Sequence, residues 1–243
     1  MRPPQRPNRP FRRPPPPGPA TSAPGSEAWR TPWAQMKYFS FNPAVYPNML
    51  TAVSPDAGPG DLVHVYDKEG QPFGTGFYNP KARVPLRVLD HHAENFDEAS
   101  LDARLDAALD LRLDTLRLNE ISDVWRVIHS DGDGLSGLVV DRYDDVLSIE
   151  VTTLGIWKRL RRWLPRLHER LGTKQHVIQI DPDIARIEGM RYADVPEAED
   201  PSPRSVRVRE PSRRGRPRGS LDARGRLARR SHLPSSRRPF RQR

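Results

Sequence analysis

The 243-residue sequence predicts an α+β protein: a small β-barrel followed by a small α+β domain, with disordered ends. Three observations predict it. Between residues 60 and 90, short strand-like runs follow one another at the spacing of a small barrel. From residue 97 the apolar period lengthens to that of a helix. The composition breaks near residues 30 and 200. Ten Pro fall in residues 1–30, whereas residues 201–243 hold fifteen Arg, seven Ser and six Pro, with no Lys, Ile, Met, Trp or Tyr.

Residues 1–30 include the run Pro14-Pro15-Pro16-Pro17. Proline fixes φ and removes donors, and nothing here can form a core, so this segment is expected to be a disordered leader. Its PxxP spacings suit a proline-reading domain, but a flexible leader is the simpler reading. Aromatics then rise from Trp33 through Tyr38, Phe39, Phe41 and Tyr46. A strand over Leu62–Tyr66 follows Gly60-Asp61 and ends at Asp67-Lys68-Glu69-Gly70; a second runs over Phe73–Tyr78, closed by Asn79-Pro80; a third covers Arg83–Leu89. Gly74 and Gly76 inside a strand point to a sharp bend or a close backbone approach.

Over 97–118, Leu101, Leu105, Leu109, Leu113 and Leu116 form a helical apolar stripe. Asp102, Asp106, Asp110 and Asp114 form a parallel acidic line, which reads as a solvated face. Strand Val124–His129, the turn Asp131-Gly132-Asp133-Gly134 and strand Gly137–Tyr143 make a hairpin, followed by a strand over Val146–Thr152. Residues 156–171 are helical, with Pro165 expected to kink or divide the helix, and His176–Ile180 is a further strand. The division expected is a leader (1–30), a barrel (31–95), an α+β unit (96–195) and a disordered tail (196–243).

The formal net charge of +9 first suggests a nucleic-acid partner. Its distribution weakens that reading: the tail carries +13 and residues 1–30 carry +5, leaving −9 for residues 31–200. The absence of cysteine excludes disulfides, thiolate-held zinc and a cysteine nucleophile. No apolar run approaches the about 18 residues of a membrane span, so a cytoplasmic protein with no membrane partner is expected.

Candidate chemistry is sparse. Asp131-Gly-Asp-Gly starts like a calcium loop but has Leu135, Ser136 and Arg142 where that loop needs a ligand, a glycine and a glutamate, so a tight turn is the better reading. His91-His92, flanked by Asp90 and Glu94, lacks a third ligand and reads as a polar loop rather than a metal site. There is no GxGxxG, no phosphate loop and no nucleophile elbow. Lys158, Arg159, Arg161 and Arg162, between Trp157 and Trp163, suit phosphates, yet read first as the wet side of an amphipathic helix. Arg83 and Arg87 lie four apart on the third strand, and Tyr78 and Asn79 end the strand before it. An aromatic, an amide and two guanidiniums are suited to clamping single-stranded RNA, and equally to closing the end of a barrel.

Taken together, Gly60–Gly70, Gly76–Pro80 and Arg83–Val88 resemble a PUA domain. Asp133–Leu147 resembles the hairpin of the domain that follows it in the RlmI-type large-subunit ribosomal RNA cytosine-C5 methyltransferases, and Ile187–Met190 resembles the sequence just before their catalytic domain. The resemblance covers about residues 31–200. It implies an RNA-binding PUA domain, a middle α+β domain, large-subunit rRNA as partner, and S-adenosylmethionine as the full-length family's cofactor. The sequence departs from that family at Ser136, where proline is usual, and in lacking the Rossmann-like domain and any cysteine to add to cytosine C6. No catalytic, cofactor-binding or metal-binding residue is therefore expected in this chain. The tail has the composition of GC-rich DNA read out of frame, and an Arg-rich RNA-binding extension is the competing reading. Three functions stay open: a truncated, RNA-binding but inactive methyltransferase, a stand-alone RNA-binding module, and a non-functional product.

Overall fold

The computed structural model describes residues 23–91, 95–195, 205–207 and 220–222. The first unit is a curled six-stranded sheet of β1 (Trp33–Met36), β2 (Ala44–Val45), β3 (Leu50–Val53), β4 (Asp61–Tyr66), β5 (Pro72–Tyr78) and β6 (Leu86–Asp90), in the order β2-β6-β5-β4-β1-β3. β1 runs parallel to β4, and the neighbouring β4, β5 and β6 pair antiparallel. Register shifts at Val65/Tyr66 and Thr75/Gly76 bend the central strands, as bulges do. Inside the curl, Ala34, Met36, Val45, Val63 and Leu86 are fully buried. The two glycines of β5 are close backbone approaches, as their sequence position suggested. A Cβ on Gly74 would meet the Asp90 carbonyl, and one on Gly76 the Arg87 carbonyl.

The folded unit begins earlier than the composition break at residue 30. Ala23 is buried, Trp29 stacks on Tyr66 with ring centroids 4.2 Å apart, and the Arg30 amide donates to the Tyr66 hydroxyl at 2.9 Å. A single large ring thus joins the end of the leader to the barrel, where proline content alone suggested no packing. The third strand begins later than expected, at Leu86, because Asn79 to Pro85 form a turn in which the Asn79 amide N–H donates to the Pro85 carbonyl at 2.7 Å.

The second unit starts with α1 (Glu98–Asp110), which is closed by a capping box between Asp97 and Ser100. α1 continues as a wide turn over Leu111–Thr115, followed by α2 (Leu118–Ile121). The fully buried part of the apolar stripe ends at Leu109, and Leu113 still packs half-buried against the core. Leu116 is exposed, because the π-type turn rotates the following residues off the helical face. β7 (Val124–His129), β8 (Leu138–Tyr143), β9 (Val146–Val151) and β10 (Gln175–Gln179) form a sheet ordered β10-β9-β8-β7. α3 (Leu154–Leu171) crosses from β9 to the parallel β10. Pro165 does not divide α3, which runs unbroken with Trp163, Leu164 and Leu167 buried around it. α4 (Pro182–Glu188), capped by Asp181, has no apolar run to announce it. Of the tail, β11 (Ser205–Arg207) and β12 (Ser220–Asp222) pair antiparallel.

The acidic line on α1 is not simply a solvated face, although Asp110 and Asp114 are exposed. It meets the basic row of α3 in parallel register. Glu98 takes Arg159 and Arg162, Asp102 takes Arg162 at 2.8 Å and the Trp163 indole N–H at 2.7 Å, Asp106 takes Arg166, and Asp110 takes Arg170 at 2.6 Å. Each helix alone is burdened by like charges, and docking them relieves both. Asp106→Lys, which would gather three cations, is expected to cost about 1–2 kcal/mol, partly recovered by added salt. Urea unfolding at two ionic strengths checks this.

Candidate nucleic-acid interface

The four residues singled out for RNA do not share an open surface. Tyr78 is buried in the barrel core, where desolvation pushes its hydroxyl above the ordinary tyrosine range. Asn79 is 5% exposed, and its amide donates to the Glu188 backbone carbonyl at 2.9 Å and to Glu188 Oε2 at 2.8 Å. Arg83 is exposed, but it lies in the turn before β6 rather than on the strand, so it does not share a face with Arg87 by strand alternation. Arg87 is half-buried and its charge acts on Glu188.

The end of the barrel that carries Tyr78 and Asn79 is closed by the second unit. Glu188 Oε2 also accepts the Leu154 N–H at 3.1 Å, so one buried carboxylate ties together β5's end, the first turn of α3 and the last of α4. Burial pushes the Glu188 carboxyl above the ordinary carboxylate value, against the opposing pull of Leu154, Asn79 and Arg87. Beside it Phe77 packs on Gly155, where an added Cβ would collide with the ring carbons, and the Arg159 guanidinium sits 4.7 Å from the Phe77 ring centre.

The tryptophan-flanked basic helix is turned inward at Arg159, while Lys158, Arg161 and Arg162 stay on its exposed side. Arg159 is buried, holding Glu98 and the carbonyls of Gly60 (3.2 Å) and Gly155 (2.6 Å), while Lys158 reaches Asp61 at 3.0 Å. Trp157 and Trp163 are core residues. Asp133 of the Asp-Gly-Asp-Gly turn is gripped by both Arg112 nitrogens, at 2.6 and 2.9 Å, and accepts the His129 N–H at 2.6 Å.

Between the barrel and α1 lies a cleft of about 310 Å³, lined by residues that include Arg30, His64, Thr75, Asn95, Phe96 and Asp97. Within it Arg30 donates to Asn95 at 2.6 Å, Asp97 caps α1 and Glu98 at the rim pairs with Arg159, whereas the buried Thr75 hydroxyl has no hydrogen-bond partner among the described residues. Burial, then the Arg30 charge, holds the His64 imidazole below its ordinary value. His168, 3.0 Å from His176, is lowered by burial and then by its partner, against Thr173 and Asp145. Both resist protonation in the fold, so their stabilisation is present above the unfolded histidine value and is lost as pH falls through it toward the lower folded values. The melting temperature is expected to drop between about pH 7 and pH 5.5, and less so in a His64→Gln, His168→Gln double variant.

A different surface remains open, at the other end of β5. The β1–β2 connection exposes Tyr38, Phe39 and Phe41 at 52, 60 and 57%. Phe39 and Phe41 meet edge to face at 4.8 Å and both contact the buried Phe73 ring. His91 packs edge-on to Phe41 and Phe73, while His92 and Glu94 lie outside the described residues. The rise of aromatics from Trp33 was visible in the sequence. Their exposure was not, since rings near strands normally fill a core.

A family model described as a PUA-like domain matches residues 31–91. A ribosomal RNA large subunit methyltransferase from Deinococcus radiodurans is 33% identical over 171 residues, covering 69% of this chain and 42% of the relative. Ribosomal RNA large subunit methyltransferase I from Alteromonas mediterranea is 27% identical over 150 residues, 61% of this chain and 38% of that one. The chain thus spans less than half the length of these relatives. The barrel thus matches a PUA-like family model, and the 171-residue similarity to the Deinococcus protein extends beyond it, so the chain is similar to ribosomal RNA large subunit methyltransferases well past the PUA-like domain.

Proposed function

We propose that this chain is the RNA-binding part of an S-adenosylmethionine-dependent methyltransferase acting on cytosine C5 of large-subunit rRNA, and that the 243 residues bind RNA without binding the methyl donor. One observation carries the reading: the 171-residue similarity to the Deinococcus protein, too long for the barrel alone. The barrel is nearly neutral, its Lys37, Lys68, Lys81, Arg83 and Arg87 balancing five carboxylates, so it offers RNA no strong phosphate field. Recognition then rests on shape and on unpaired bases. Among the described residues, no helix is long and apolar enough to cross a membrane.

The fifteen arginines of residues 201–243 support a second reading, a stand-alone RNA-binding module. One set of measurements tests both. Fluorescence anisotropy with large-subunit rRNA fragments is expected to show binding that survives removal of residues 201–243, and calorimetric titration with S-adenosylmethionine is expected to show no heat. Binding lost with the tail would count against the module reading and against RNA binding by the folded part alike; donor binding would overturn the claim that the chain does not hold it.

A further inference from the structure

We propose that the exposed end of the barrel formed by Lys37, Tyr38, Phe39 and Phe41 is a stacking platform for unpaired bases of single-stranded RNA, with the Lys37 ammonium placed for a phosphate. The proposal rests on the RNA-binding reading above and assigns it a place on the molecule.

The patch is open where a folded domain would ordinarily hide it. Three rings that are more than half exposed stand in the five residues from Lys37 to Phe41. They are nonetheless firmly supported. Phe73, 7% exposed, lies beneath Phe39 and Phe41 with ring centres at 5.4 and 6.0 Å, and His91 closes one side of Phe41 at 5.5 Å. The connection is pinned at both ends, by Lys37 N–H to the Met49 carbonyl at 2.7 Å and Val88 N–H to the Pro43 carbonyl at 2.8 Å. Within it the Ser40 hydroxyl accepts the Asn42 N–H and the Asn42 side chain accepts the Ala44 N–H. A surface ordered in advance loses little conformational freedom on binding.

Its chemistry suits a base better than a protein. The exposed groups between Lys37 and Asn42 are rings, short polar side chains and one cation, with no exposed aliphatic side chain. From Trp33 to Pro55 there is no carboxylate, and Lys37 is the single charge, its ammonium 5.5 Å from the Tyr38 ring centre. Rings stack on the faces of any base, and an ammonium attracts a phosphate. The patch also lies at the opposite end of β5 from the Asn79–Glu188 contact. Phe73 is the second residue of β5 whereas Asn79 follows its end, about 20 Å away at strand rise.

The test uses the full chain at moderately high salt, which suppresses phosphate binding by the arginines. Fluorescence anisotropy is read with a labelled single-stranded oligoribonucleotide of mixed sequence and with its duplex. Phe39→Ala with Phe41→Ala is expected to weaken single-strand binding about ten- to a hundredfold, leaving duplex binding and the melting curve unchanged. Phe39→Tyr with Phe41→Tyr, which keeps the rings, is expected to bind as the parent does. If the parent binds single strands and the alanine variant binds them equally well, or loses single strand and duplex alike, the platform is refuted while the RNA-binding reading stands. If the parent binds no RNA at all, that reading falls and the platform falls with it.

Discussion

Gly74→Val and Gly76→Val are each expected to abolish the barrel, the largest effect of any single change considered. A side chain at Gly74 would run into the Asp90 carbonyl and the His91 Cα, and one at Gly76 into the Arg87 carbonyl and the Val88 Cα. These obstacles are backbone, so no rotamer relieves them. The chain must break the β5–β6 pairing that places Gly76 opposite Val88 and Thr75 opposite Asp90. Loss of several ladder bonds and of the core beneath costs on the order of 4–5 kcal/mol, enough to unfold a domain of ordinary stability. Circular dichroism should show loss of β signal and no cooperative barrel transition. Gly172→Ala provides the contrast, since nothing lies within 4 Å of its added Cβ. Only its left-handed backbone, φ +64°, opposes that change, at about 1 kcal/mol. A Gly74→Val protein that melts like the parent would show that the two strands do not approach as closely as described.

Glu188→Ala is expected to cost about 3 kcal/mol and to loosen the two units from one another. The substitution strips the Asn79 amide and the Leu154 N–H of their shared acceptor at a junction where water cannot readily replace it. Glu188→Gln retains an oxygen to accept one of these bonds and removes a costly buried charge, so it should lose clearly less, about 1 kcal/mol. Urea unfolding checks the energies. Limited proteolysis checks the loosening, since cleavage between β6 and α1 is expected to rise in the alanine variant. Equal stability of parent and Glu188→Ala would remove the carboxylate from its place as the tie between barrel, α3 and α4.

What was legible in the sequence, and what was not, follows from the range of the forces involved. β4, β5, the hairpin of β7 and β8, and β9 lie within a residue or so of their expected limits, because period and turn residues are local signals. The role of Gly74 and Gly76 was legible for the same reason. β1, β2 and β3 were not anticipated: they are two to four residues long, too short to display a period. Complementarity between the charges of α1 and α3 was hidden for a different reason. Each row read alone is an ordinary solvated face, and only the tertiary fold brings together residues about sixty positions apart. Tyr78 and Asn79 illustrate a third limit. A ring and an amide at a strand end have the same sequence signature whether they meet RNA or a neighbouring domain, and here Glu188, 109 residues from Asn79, decides.

The paired helices also raise a question of alignment. Acids at 98, 102, 106 and 110 face bases at 159, 162, 166 and 170, so both rows repeat at nearly one helical turn. Sliding one helix past the other by a turn would give every interior charge a new partner of the right sign. The rows attract but do not distinguish one alignment from the next, much as two combs of equal pitch mesh at every tooth. What distinguishes them is whatever does not repeat: the Trp163 indole on Asp102, and Arg159 reaching past the row to the Gly60 carbonyl on the barrel. The charges hold the helices together, while one tryptophan and one arginine select where.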